Sequence, residues 1–116
     1  MRLPACLLML LIALASPLDA EGRRAAVSGD TIMLDGVTVR LKGIECPPMT
    51  TDEGREAQRI VQMMLHARVL HCAYEQLPDG THEGDCLYRA SRSTPVSRSM
   101  VVELEKRNLC LRYGRT

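Results

Sequence analysis

Asp30, Arg40 and Glu45 set two acids and an arginine within one short stretch of the chain. Carboxylates are the oxygen donors that hard cations accept. A guanidinium fork grips phosphate or carboxylate through two parallel hydrogen bonds. The same three residues also have an ordinary reading, in which Asp30 caps a turn and Arg40 pairs with Glu45. Residue type alone leaves both open. The second reactive set is Cys46, Cys72, Cys86 and Cys110. His71 and His82 beside Cys72 and Cys86 suggest zinc, but His71 and Cys72 are neighbours on an expected strand and so face opposite sides of it. The chain offers no nucleophile–base pair and no Gly-rich phosphate loop.

The stretch that positions the acids and the arginine reads GDTIMLDGVTVRLKGIECPP, from Gly29 to Pro48. Asp35-Gly36 is a two-residue hairpin signal, because both central positions of a type I′ turn need φ > 0. After it, Val37, Val39 and Leu41 alternate with Thr38, Arg40 and Lys42, which puts Arg40 on the face opposite the valines. Pro47-Pro48 ends the strand. Asp30 therefore enters the hairpin, Arg40 lies on its second strand, and Glu45 sits at the exit.

This run resembles the thermonuclease (staphylococcal-nuclease-like) family, whose pattern is a GDT segment followed by RL-x-GID-x-PE. The matching residues are Gly29-Asp30-Thr31 and then Arg40-Leu41-Lys42-Gly43-Ile44-Glu45-Cys46-Pro47-Pro48. The resemblance implies an α+β, mainly β fold: a five-stranded OB-fold barrel with two packed helices. It implies calcium-dependent hydrolysis of DNA and RNA, hence nucleic acid as partner. Such hydrolysis needs a metal to draw charge from the phosphate, an aligned water, and positive donors for the developing charge.

Carried over residue by residue, the resemblance makes Asp30 the first metal carboxylate and Glu45 the second, one methylene longer than the family's aspartate. Calcium tolerates variable oxygen geometry. The carbonyl of Cys46 fills the third protein position, and Arg40 is the first phosphate clamp. Two roles are empty. Pro48 stands where the family has the glutamate that handles the attacking water. Thr81 falls where the second arginine belongs, counting back from Gly84-Asp85-Cys86; His82 is adjacent but faces the other way on a strand. Glu53 lies near Pro48, yet it is explained as a capping-box partner. The family carries its second arginine in a YGR-type loop between the fourth and fifth strands; Tyr113-Gly114-Arg115 spells that tripeptide, but after the second helix.

With 116 residues, one domain is expected. Residues 1–20 read as a secretory signal: Arg2, an apolar run from Leu7 to Leu14, and small residues at Ala13, Ala15 and Ala20. Cleavage after Ala15 or after Ala20 fits this pattern; Ala20 is preferred and leaves a domain over residues 21–116. The apolar run is shorter than the roughly 20 residues a membrane span needs, so no span is expected after cleavage. The expected product is a secreted or periplasmic monomer. Four cysteines in a small exported domain favour disulfides over metal or catalysis.

From Glu21 to Asp85 there are seven Lys/Arg against eleven Asp/Glu, and from Cys86 to Thr116 seven against two. A basic C-terminal third suits nucleic-acid phosphates or is a solvated face. There is no Phe and no Trp, which weighs against a base-stacking platform.

Along the chain, a short strand is expected over Arg24 to Ser28. A helix follows the prolines, capped by Thr50 with Glu53 and running to about His66, with Ala57, Ile60, Val61, Met64 and Leu65 on one stripe. Met63 and Met64 read as core filler. Strands over Val69–Gln76 and Thr81–Arg89 flank a turn at Pro78-Asp79-Gly80. Ser97 or Ser99 caps a second helix carrying Met100, Val101 and Leu104. Asn108 is its left-handed C-cap, and Leu109 to Tyr113 returns as an extended segment. The order β-β-β-α-β-β-α is that of the family.

Cys72 and Cys86 are equidistant from Asp79, so an antiparallel hairpin sets them opposite each other, close enough to bridge. Cys46 and Cys110 remain, and in the family fold the segment after the second helix runs beside the end of the third strand. The expected bridges are Cys72–Cys86 and Cys46–Cys110. The sequence thus reads as an exported thermonuclease-like protein, catalytically impaired or inactive. The alternative is an active nuclease with substituted catalytic residues.

Overall fold

The computed structural model describes residues 23–112. The expected signal sequence and the Tyr113-Gly114-Arg115 tripeptide lie outside them. Strands β1 (Arg24–Ala26), β2 (Thr31–Leu34) and β3 (Val37–Leu41) form an antiparallel meander. The β2–β3 turn is the one expected, with Asp35 and Gly36 at φ 50° and 88°. Thr31 lies opposite Arg40. Val39 and Leu41 are buried while Thr38 and Arg40 face out, as the period-2 pattern requires.

The sequence reads as one strand up to the prolines, but the structure breaks it at Lys42-Gly43. Gly43 adopts φ 79°, a left-handed conformation that glycine tolerates without Cβ strain. The chain then leaves the main sheet. Strand β4 (Ile44–Glu45) pairs instead with β8 (Leu111–Arg112) in a separate two-stranded sheet.

Helix α1 spans Asp52–Leu65. Its N-cap is Thr51, not Thr50. The Thr51 hydroxyl accepts from the Gly54 amide at 3.0 Å and donates to the Pro48 carbonyl at 2.7 Å. This one-residue shift removes Glu53 from the capping box and leaves it exposed. The expected stripe faces inward, with Ala57, Val61, Met64 and Leu65 buried. Met63 is 60% exposed and is not core filler.

Strands β5 (Val69–Gln76) and β6 (His82–Arg89) form an eight-residue antiparallel hairpin with Cys72 opposite Cys86. β6 also runs parallel to β3, setting Glu83 beside Arg40, and pairs with the short β7 (Arg98–Ser99). The sheet order is β1-β2-β3-β6-β5, and its ends, β1 and β5, do not pair. The outer edge of β1 is occupied by a helix instead. The Ala26 amide donates to Gln62 Oε1 at 2.7 Å, and the Ala26 carbonyl accepts from Gln58 Nε2 at 3.0 Å. The architecture is a mostly-β α+β fold with a mixed sheet and two helices.

Helix α2 (Met100–Lys106) is capped by Ser99, whose hydroxyl accepts from the Val102 amide at 3.1 Å and donates to Asp85. Its C-terminus closes with Asn108 at φ 58°. The Leu109 amide reaches the Leu104 carbonyl and the Asn108 amide the Glu105 carbonyl, both at 3.0 Å, a Schellman arrangement. Ile32, Leu41, Ile44, Leu65, Met100 and Leu104 fill the core between sheet and helices. Two disulfides, Cys72–Cys86 and Cys46–Cys110, join the expected partners.

Candidate functional site

Asp30 is the last residue of the β1–β2 connection and is 9% exposed. Its Oδ1 accepts from the Ser28 hydroxyl at 3.0 Å and the Thr31 hydroxyl at 3.1 Å, and its Oδ2 accepts from the Cys46 amide at 2.9 Å. Its carbonyl accepts from the Leu41 amide at 2.8 Å. Asp30 therefore fixes the turn into the hairpin and ties it to the chain beyond β4. A carboxylate has about four lone-pair sites, and three are occupied here by donors whose positive ends point at it. The Asp30 carboxylate is thus engaged mainly with its own chain.

The other two members lie on different surfaces. Arg40 is exposed on the outer face of β3 and lines a groove of about 690 Å³ with Asp79, Thr81, His82 and Glu83. Glu45 and Cys46 line a second groove, of about 520 Å³, with Pro48, Asn108 and Arg112. Asp30 lines neither of these two grooves. The Cys46 side chain is bonded to Cys110. Glu45 is exposed and pairs with Leu111 through β4. Among the described residues, no group of three or more His, Cys, Asp or Glu side chains gathers where a metal ion could be held.

The Arg40 groove carries both signs of charge. Glu83 stands beside Arg40 in register, and cross-strand neighbours of opposite charge attract. Thr81 is committed to its own turn: its hydroxyl donates to Asp79 Oδ1 at 2.6 Å and its amide to the same oxygen at 3.0 Å. The Thr81 hydroxyl, and then its amide, hold the Asp79 carboxyl below its ordinary value. Asp79 is therefore an anion on the wall of the groove that Arg40 lines.

Sequence reasoning did not find Glu83 as the neighbour of Arg40, because a parallel β3–β6 pairing leaves no local signal. It also did not find Asp85. That side chain accepts from the Val101 amide at 3.2 Å and receives the Ser99 hydroxyl, so it anchors the start of α2 on β6. The role of Asp30 was legible in the run Ser28-Gly29-Asp30-Thr31, where short hydroxyl and carboxylate side chains close turns on one another.

No protein-family model matches this chain, and no curated protein matches it. Among the described residues, no helix is long and apolar enough to cross a membrane. Two disulfides accord with an oxidising location.

Proposed function

We propose that this is an exported, thermonuclease-like domain whose phosphodiesterase machinery is impaired, a descendant of the OB-fold enzymes that its Gly29–Pro48 stretch resembles. The engagement of the Asp30 carboxylate carries this reading. The residue that the resemblance makes the first calcium ligand is held by three hydrogen-bond donors of its own chain. Pro48 in place of the glutamate and Thr81 in place of the second arginine add support. Losing a general base commonly costs about 10²–10⁴ in rate, and losing a charge donor costs a similar factor.

The proposal takes the mixed sheet as derived from the family's OB-fold barrel, with Gln58 and Gln62 of α1 holding the edge of β1 where β5 does not pair with it. Nucleic acid remains the ligand class this reading favours, met by Arg40 and the basic C-terminal third. The test is calcium-dependent cleavage of single-stranded DNA by the purified mature protein, with Arg40→Ala as control. Activity at least about 10³-fold below that of an intact family member is expected. Robust calcium-dependent cleavage that disappears in Arg40→Ala would overturn the proposal.

A further inference from the structure

A cavity of about 340 Å³ lies away from both grooves, between the end of α1, the end of β6 and the end of α2. That volume is at the small end of the range that encloses organic ligands. Its wall is apolar where α1 contributes Ile60, Met63 and Met64. Its polar members are His66, Arg68, Tyr88 and Arg107, and no carboxylate lines it.

Met63 stands out as a large apolar side chain left 60% exposed on a helix whose other apolar residues turn inward. Methionine adapts its shape to varied apolar ligands. Arg68 forms no ion pair with a described residue.

The charge balance behind the cavity points the same way. Glu103 pairs with Arg107 and acts electrostatically on Tyr88, and its side chain is only 7% exposed. Arg98 and Arg107 at 3.5 Å and Lys106 at 3.8 Å converge on it. One buried carboxylate thus faces three cations, so this corner keeps an excess of positive charge before Arg68 is counted. Burial, and then the Glu103 charge, raises the Tyr88 hydroxyl above its ordinary value and keeps it a neutral donor. Cationic and neutral donors above an apolar wall define the complementary ligand.

We infer that this cavity is a binding site for a small organic anion with an apolar body, a medium-chain or aromatic carboxylate, whose tail packs on Met63 and whose head meets Arg68 and Arg107. Flat nucleic-acid backbone is the wrong shape for it, because the phosphates have no apolar part to place against α1. The site is independent of Arg40 and of Asp30.

Octanoate is the probe, compared with octanol and octylamine of equal chain length, each titrated into isotopically labelled mature protein and followed by amide NMR. Saturable shifts centred on Ala67, Arg68, Tyr88 and Ala90 are expected with octanoate. Octanol should bind at least about tenfold more weakly, and octylamine should not bind, since an ion pair with a guanidinium is lost or reversed. Arg68→Glu should weaken octanoate by at least about tenfold, and Met63→Glu should do the same by charging the apolar wall. Both side chains are exposed, so an otherwise unchanged amide spectrum confirms that the variants fold. The inference is overturned by no saturable octanoate shift, by equal binding of octanol and octanoate, by shifts centred elsewhere, or by an Arg68→Glu variant that binds like the parent.

Discussion

At the scale of the residue, Asp30 has one structural duty that is measurable without any ligand. Replacing it with alanine leaves the Cys46 amide without its acceptor in a site 9% exposed, together with the Ser28 and Thr31 hydroxyls. An unsatisfied buried donor costs about 1–3 kcal/mol. Asp30→Ala should therefore lower the melting temperature by roughly 10 °C with a chelator present throughout. An unchanged melting temperature in chelator would show that the carboxylate is not needed by the fold. Asp79 makes the opposite kind of case, fully exposed yet shifted. Thr81 holds its carboxyl below the ordinary 3.8, so the folded state prefers the anion. That contribution is complete above about pH 5 and disappears as pH falls through the ordinary and then the lowered folded value. In urea denaturation across about pH 2–7, the stability difference between the parent and Asp79→Asn should be constant above about pH 5 and shrink below it. The sequence made the identity of these residues legible but not their company. Glu83 reaches Arg40 through pairing between distant strands, and no local spacing encodes that.

At the scale of the element, local rules placed most of the secondary structure and long-range competition moved its ends. The β2–β3 turn and the β5–β6 register followed from turn chemistry and counting. The cap of α1 moved from Thr50 to Thr51 because the Thr51 hydroxyl also satisfies the Pro48 carbonyl. A pattern of alternating residues has no means of showing the break at Gly43, since Ile44 remains buried on the far side of it. The close approach of the proline loop to α1 requires Gly54. A Cβ there would lie 2.0 Å from the Pro48 carbonyl oxygen, a backbone atom that no side-chain rotation can relieve. Gly54→Ala is expected to cost about 1–3 kcal/mol or more in urea denaturation, despite alanine's better helix propensity. A neutral or stabilising result would contradict that packing. The seal on β1 is tested separately. Gln62→Ala removes the acceptor of the Ala26 amide and should cost about 1 kcal/mol, whereas Gln62→Glu keeps an acceptor and should stay near the parent at neutral pH. Equal losses in the two variants would argue that the glutamine acts by packing alone.

At the scale of the whole molecule, the two disulfides divide the stabilisation unequally. Cys72–Cys86 closes 14 residues of separation within a hairpin that already pairs along eight residues of each strand. Cys46–Cys110 closes a separation of 64 and fastens β4 to β8, where each strand contributes two residues. In the chain-entropy model the short loop contributes about 3 kcal/mol and the long one about 4 kcal/mol. Together they are comparable with the entire stability of a small domain, about 5–15 kcal/mol, so the fully reduced chain should be largely unfolded. The local consequences differ more than the totals. A two-stranded sheet this short does not persist alone. Replacing Cys46 and Cys110 with serine should make the amides of β4 and β8 exchange with solvent far faster than those of β5 and β6, in addition to lowering the melting temperature. Replacing Cys72 and Cys86 should lower the melting temperature less and leave the β5–β6 ladder protected. Hydrogen exchange read by NMR, under non-reducing conditions and for both pairs, checks the difference. If β4 and β8 stay protected without their disulfide, core packing of Ile44 holds that corner. If the Cys72–Cys86 pair costs more, strand pairing has been overrated relative to the covalent link.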